Sequence, residues 1–300
     1  MSVKSSVRRW IVRHRPLQLR TQRAITLPRL PRRARQVGSV WAVSLVRNEA
    51  DVIGLTVRNL LAQGVDGVIV LDHLSTDSTR EVLAGITAED PRVHLGTYQD
   101  PAHRQARVMS YLADRARRAG ADWVVLFDAD EFWCAQGGTV AEVLGGIEGA
   151  RVAAAALHDA HPDGPEGVDL TAAGSRLLVE TEPNTEKVAI RPEGWAWVDM
   201  GNHSALDLAR SAPSELRILH IPYRSLGQMR AKAVNGAAAV RADTEFGPRV
   251  ADHWKRLADY DGEIEREWAE ATAPRRPVAE IGVPAPGATW EDVLGGGTTS

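Results

Sequence analysis

Three carboxylates crowd the stretch "WVVLFDADEFW" over residues 123–133: Asp128, Asp130 and Glu131 fall within four positions, between an apolar run and a pair of aromatics. Like charges this close repel, and burial beside an apolar run raises the cost, so the pattern calls for a counter-charge. A divalent cation is one answer. Hard ions take oxygen ligands, and carboxylates at i and i+2 can converge on one ion once a strand loosens into a turn. An exposed acidic turn is the reading without chemistry. Cys134, the single cysteine, follows at once; it excludes an intrachain disulfide and a multi-cysteine zinc site, and reads as a small core residue.

These carboxylates need elements to position them. "SVWAVSLV" reads as a buried strand, and "DVIGLTVRNLLAQG" as a helix with Val52, Leu55, Leu60 and Leu61 near one face, ended by Gly64. The alternation continues: "GVIVLD" as strand, "STDSTREVLAGI" as a helix capped by Ser or Thr, "RVHLGTY" as strand, "HRQARVMSYLADRARRAG" as helix and "DWVVLFD" as strand. Repeated strand–helix units predict an α/β fold, a mostly parallel sheet with helices on both faces. Ligands of such sheets gather beyond the carboxyl ends of the strands, here "RNEAD", "DHLSTDST" and "DADE". No G-x-G-x-x-G follows the first strand and no G-x-x-x-x-G-K-[ST] occurs, so a nucleotide's phosphates would be neutralised by a cation and not cradled by a glycine loop.

The formal charge of −3 conceals a division. Residues 1–38 hold 11 Lys or Arg and no acid, while the remainder carries 25 against 39. The basic arm, "VRRWIVRHRPLQLR" with Trp10, Ile11 and Leu17, suits the surface of an anionic membrane or remains a flexible tail. The acidic body argues against nucleic acid as partner. No run reaches the roughly 18 apolar residues of a spanning helix, and the N-terminus lacks a secretory apolar core, so a cytoplasmic protein is expected, with optional contact at the inner membrane face.

Together, "SLVRNEADVI", "VLDHLSTDST" and "WVVLFDADEFW", in this order over residues 40–133, resemble the nucleotide-sugar-binding half of bacterial family 2-like glycosyltransferases with the GT-A fold. "EKVAIRPE", "GNHS" and "ILHIPYRSLGQMRAK" are similar to their acceptor-side segments. The resemblance implies a nucleotide-sugar donor, UDP-sugar favoured, a glycan or lipid-linked acceptor, and Mn²⁺ or Mg²⁺. It implies Arg47, Asn48, Glu49 and Asp72 for the nucleoside, Asp130 as direct metal ligand, Asp128 shared between metal and ribose, and His220 as a third ligand. Where the family has an acid and a glycine after the first Asp, this chain has His73 and Leu74, which bears on base identity. Asp77 reads as a helix cap.

Lys187 and Arg191 are candidates for the diphosphate, as is Arg104 at a helix start, where it opposes the dipole. Inverting transfer requires a general base. The family's usual Glu-Asp pair has no convincing counterpart, which leaves His203 in a polar turn, with Asp199 and Glu131 as rivals. Trp195 and Trp197, read as one face of a strand, could stack on a sugar or pack inward. Arg224, Arg230 and Lys232 lie on or before a helix whose basic side reads as solvated, although Lys232 could reach a phosphate, and "ADHWKRLADYDGEIEREW" reads as a second helix. The expected division is a basic arm (1–38), a nucleotide-sugar half (39–135), an acceptor half (136–245), and a C-terminal helix with a tail irregular after Pro274 (246–300). A non-catalytic glycan- or membrane-binding protein is the alternative. A metal-dependent phosphatase is less favoured, because its Asp motif ends the first strand of a sheet and here it ends the fourth.

Overall fold

The computed structural model describes residues 16–205, 211–242, 262–273 and 277–295, and of residues 239–241 the backbone only. Four apolar runs pair in parallel: β2 (Val40–Val46), β3 (Gly67–Asp72), β4 (Val93–Tyr98) and β5 (Trp123–Leu126), in the order β4-β3-β2-β5. Their side chains alternate between two apolar clusters; in β2, Val40, Ala42 and Val46 enter one, Trp41, Val43 and Leu45 the other. Burial on both faces is why these strands read as unbroken apolar runs.

Helices supply the two coverings. α2 (Ile53–Ala62) and α3 (Thr79–Glu89) bury Ile53, Val57, Leu60, Leu83 and Ile86 on the first face. α4 (Gln105–Ala119) buries Val108, Met109, Leu112 and Ala116 on the second, and Gly120, at φ 112°, supplies its left-handed exit. The chain runs outward from β2 through β3 to β4, then returns to set β5 on the other flank of β2. That reversal is a topological switch point, and a crevice opens there beyond the carboxyl ends of β2 and β5.

After the acidic turn the chain crosses to the far edge of the sheet. β6 (Glu131–Ala135) leads to α5 (Val140–Gly146), started by a reciprocal Thr139–Glu142 capping box. β7 (Val152–Pro162), β8 (Arg176–Glu180), β9 (Thr185–Ile190) and β10 (Ala212–His220) follow. The order continues β5-β9-β7-β10-β6, with only β7 and β10 parallel among these neighbours. Within it β10 pairs with β6 so that His220 faces Glu131, and with β7 so that it faces Asp159. Cys134 is buried in β6, which pushes its thiol up to about 12 and leaves it inert.

Two expectations about the ends of the chain change. Residues 16–38 are packed: a helix over 16–23 (α1) places Gln18 on the Arg107 carbonyl at 3.1 Å, and β1 (Ile25–Thr26) pairs with β4. The Arg33 and Gln36 amides then donate to the Arg118 and Gly120 carbonyls, satisfying the end of α4. Trp10 and Ile11 lie outside the described residues. At the other end, α6 (Leu226–Ala242) and α7 (Glu263–Ala271) form as expected, with residues 251–261 outside the described set. The segment expected to be irregular instead forms β11 (Val278–Gly282), which covers the edge of β8, and α8 (Trp290–Gly295), whose Trp290 ring meets His158 at 4.4 Å. An uncovered edge strand and an unfilled apolar gap are what this segment closes.

Trp195 and Trp197 do not lie in a strand. They meet edge-on at 5.6 Å, and Trp197 packs inward at 7% exposure.

Candidate active site

The loops after β2 and β3 are bolted to each other by side chains at the sheet's carboxyl end. The Asn48 amide donates to Ser75 Oγ at 3.0 Å, while Asn48 Oδ1 accepts from the Thr76 amide at 2.7 Å. The Glu49 amide donates to Thr79 Oγ1 at 2.8 Å. Asp77 accepts from the Thr79 amide at 3.0 Å, close to its expected capping role, and its other oxygen takes the Ala50 amide at 3.2 Å. Asn48 (φ 57°), Leu74 (φ 55°) and Asn202 (φ 62°) are the non-glycine residues with positive φ among the described residues, and all three stand in loops at this end. Leu74 therefore keeps the backbone turn that a glycine would supply; the departure is in the side chain only.

Around the acidic turn each carboxylate has its own partners. Asp128 Oδ2 accepts from Lys187 Nζ at 2.8 Å, and its Oδ1 accepts from the amides of Gln105 (3.0 Å) and Asn202 (3.1 Å). Glu131 is fully buried; one oxygen lies 2.8 Å from Lys187 Nζ and the other accepts the Asp128 amide at 3.1 Å. Both Glu131 oxygens are thus engaged in the interior, one of them against Lys187. Burial pushes its carboxyl up, with Lys187 opposing.

Asp130 faces the other way, into a group of cations. Its Oδ2 lies 2.5 Å from Lys232 Nζ and 3.8 Å from His220 Nε2. Burial alone would raise its pKa, but Lys232, His220 and Arg224 outweigh burial and hold the carboxyl below the ordinary range. The converse holds for His220: burial opposes its charge, yet Asp130 and Asp159 raise its pKa. His220 Nδ1 is held by Asp159 Oδ1 at 2.7 Å, and Asn184 Nδ2 donates to that carboxylate's other oxygen at 2.8 Å. Beneath them Arg224, 1% exposed, donates to Glu49 Oε2 at 2.5 Å, to both oxygens of Asp51 (2.7 and 3.1 Å) and to the Ile221 carbonyl at 2.9 Å. Burial leaves Glu49 with a raised pKa, partly offset by Lys232 and Arg224.

The donor set of Asp130 and His220 fits a divalent cation. An imidazole whose Nδ1 is backed by a carboxylate presents Nε2 toward Asp130, the arrangement that orients metal-binding histidines. Among the described residues no three His, Cys, Asp or Glu side chains form a group that could hold a metal ion, so an ion at this pair would take its remaining oxygens from elsewhere. Asp128, expected to share the ion, is held by Lys187 at one oxygen and by Gln105 and Asn202 at the other.

Other expected residues are placed as follows. Asp72 ends β3, buried, with Oδ1 accepting the Ser75 amide at 3.3 Å and Oδ2 in an ion pair 3.9 Å from Arg80. Arg47 follows β2 with a buried Nε that has no hydrogen-bond partner among the described residues. Arg104 is buried and ion-paired with Asp100, which also accepts the Ala102 amide. Arg191 is not brought to the site: it binds Asp122 at 3.2 Å and lies over the Trp123 ring at the amino end of β5, opposite the acidic turn. The loop of Asp199 and His203 does reach it through its buried neighbour Asn202, and through the Gly201 amide on Gln105 Oε1 at 3.2 Å. His203 is exposed, with Nδ1 2.6 Å from the Glu186 carbonyl; since a carbonyl only accepts, Nδ1 carries the proton and Nε2 the lone pair. Asp199 closes its own loop, accepting from the Met200 amide at 2.8 Å and from Ser204 Oγ at 3.3 Å.

Sequence reasoning missed Gln105, Asp159 and the inward placement of Lys232 and Arg224. Lys232, expected on a solvated helix face, is ion-paired with Asp130. Asp159 carries a faint signal, the polar "HDAH" closing an apolar strand.

Residues 42–155 match the model of glycosyl transferase family 2. A search of curated protein sequences returns no match. Among solved structures, the chain is similar to the mannosyltransferase PcManGT from Pyrobaculum calidifontis in complex with GDP-Man and Mn²⁺, at 18% identity, TM-score 0.40, over 86% of this chain and 80% of that one. It is also similar to S. aureus TarS 1–349 in complex with UDP, at 12% identity, TM-score 0.35, over 73% and 69%. Against another S. aureus TarS structure the match, at 16% identity and TM-score 0.27, covers 32% of this chain and 17% of that one. The matched residues 42–155 carry both bolted loops and the acidic turn, on a mixed α/β sheet in which β2 to β5 run parallel.

Proposed function

We propose that this chain transfers a sugar from a nucleoside-diphosphate donor, UDP-sugar favoured, to a hydroxyl of a glycan or lipid-linked acceptor, with inversion and with Mn²⁺ or Mg²⁺ held by Asp130 and His220. The observation that carries the reading is the Asp130–His220 pair, backed by Asp159, standing beside the switch point of the sheet. A bound divalent cation would offset the charge that develops on the departing diphosphate. Arg47, Asn48, Glu49 and Asp72 form the nucleoside side, and Asp72 suits a base N–H or a ribose hydroxyl. Asp128, oriented by Gln105, Asn202 and Lys187, is left to face the ribose, and Lys187 adds positive charge for the diphosphate. His203 Nε2 is the base: it takes the acceptor hydroxyl's proton as that oxygen bonds to the anomeric carbon and the bond to the diphosphate breaks.

Exposed Arg29, Arg32, Arg33 and Arg35, beside Arg117 and Arg118, support contact with an anionic membrane surface. No helix among the described residues is long and apolar enough to cross a membrane.

A thermal-shift series with UDP and GDP, each with and without Mn²⁺, tests the reading. A nucleoside diphosphate is expected to raise Tm only with the cation, and Asp130→Ala to abolish the shift. A wild-type shift that survives the substitution would sink the metal assignment.

A further inference from the structure

Lys232 and His220 approach one oxygen, Asp130 Oδ2, from two elements: the ammonium at 2.5 Å from α6 and the imidazole Nε2 at 3.8 Å from the end of β10. A divalent cation bound between Asp130 and His220 would lie at roughly 2.0–2.6 Å from that oxygen. Ammonium and cation would then share one carboxylate oxygen at contact distance, and their repulsion in a poorly solvated site is strong. We propose that Lys232 competes with the divalent cation for Asp130 and, once displaced, pairs with the donor's diphosphate. The inference rests on the donor-binding reading above and deepens it.

The lysine is built to leave. Asp130 is 5% exposed at its side chain whereas Lys232 is 25% exposed, so the lysine side chain is the less enclosed of the pair. Its remaining contacts are weak: the Pro222 carbonyl at 3.3 Å and Glu49 Oε1 at 4.0 Å, and Glu49 already holds Arg224. The helix that carries it is not free to follow, because Met229 and Ala233 are buried against Trp268 of α7. The four-carbon stem therefore swings from an anchored backbone. A cation held by Asp130 and His220 would take its remaining oxygens from the donor, which would set the diphosphate beside Asp130 and within that swing. Arg230, two residues earlier on the same helix, is ion-paired with Glu265 and does not share the role.

The two halves of the proposal predict opposite signs for one substitution. Mn²⁺ affinity is read by electron paramagnetic resonance titration, and UDP or GDP affinity at saturating Mn²⁺ by calorimetry, on the full chain. In Lys232→Met, Mn²⁺ alone should bind about tenfold tighter and the nucleoside diphosphate about tenfold weaker, roughly what one short-range charge contributes. Lys232→Arg, which keeps the charge, should leave Mn²⁺ affinity within about threefold of wild type; the variants' melting curves confirm that they fold. Unchanged or weaker Mn²⁺ binding in Lys232→Met overturns the competition, and unchanged diphosphate binding overturns the transfer to the donor, in each case with wild-type binding intact. A wild-type chain that binds neither Mn²⁺ nor nucleotide overturns the functional reading itself.

Discussion

The parallel half of the sheet brings Glu49, Asp51, Asp72, Asp128 and Asp130 to the site on the loops that follow β2, β3 and β5. The mixed half brings Lys187 on β9, His220 on β10, Arg224 just beyond it and Lys232 on α6. With Asp159 on β7, Glu131 on β6 and Arg47 after β2 as the exceptions, most of the site's carboxylates thus come from the parallel half and most of its cations from the mixed half. Their loops are held differently as well: the acidic loops are bolted by neutral hydrogen bonds such as Asn48 to Ser75 and Thr76, while the cations reach across by ion pairs.

Breaking the contact between the halves should have the largest effect. Arg224→Met removes a buried guanidinium and leaves Glu49 without its closest counter-charge, a loss expected to cost about 3–5 kcal/mol in urea unfolding. A cost below about 1 kcal/mol would mean that the two halves are joined by packing alone.

A second test stays within the parallel half. His73 is fully buried, with Nε2 on the Asp100 carbonyl at 2.8 Å; burial first, then His103 and Arg47, hold its pKa down at about 4, with Asp100 opposing. An unfolded histidine takes its proton near 6.5, so the unfolded chain binds the proton first as pH falls. The contribution is complete above pH 6.5 and is lost progressively down to about pH 4, about 3 kcal/mol in all. His73→Gln should flatten this part of the stability profile measured by denaturation at stepped pH; an unchanged slope would assign it to the charged cluster across the sheet instead.

The smallest effect is expected at Leu74. Its left-handed backbone costs on the order of 1 kcal/mol, which Leu74→Gly relieves, against a similar entropic cost of glycine in the unfolded chain. Stability should move by less than about 1 kcal/mol, and a larger loss would show that the Leu74 side chain packs as part of the acidic loops.

This division also explains what could be read from the sequence. Strands β2 to β5 were legible because burial on both faces writes each as a compact apolar run, and their carboxylates cluster because strand ends keep neighbours adjacent in the chain. The cations were not legible in the same way. Lys187 is 59 residues from Asp128 and Lys232 is 102 from Asp130, and helical spacing does not reveal which face of α6 meets a buried carboxylate. Lys187 was singled out by its charge in a strand-like segment, whereas Arg191, chosen on the same ground, lies at the opposite end of β5. β11 escaped notice because its only buried residue is Ile281, too little for an alternating pattern.

The central claim is that Asp130 and His220 serve transfer from a nucleotide sugar. Chromatographic measurement of nucleoside diphosphate released from UDP- and GDP-sugars, with Mn²⁺ and with chelator, addresses it most directly. Release that requires the cation and is lost in Asp130→Asn and His220→Ala is the predicted result. No release from any donor, as a non-catalytic binding protein would give, or release that survives both substitutions, would contradict it.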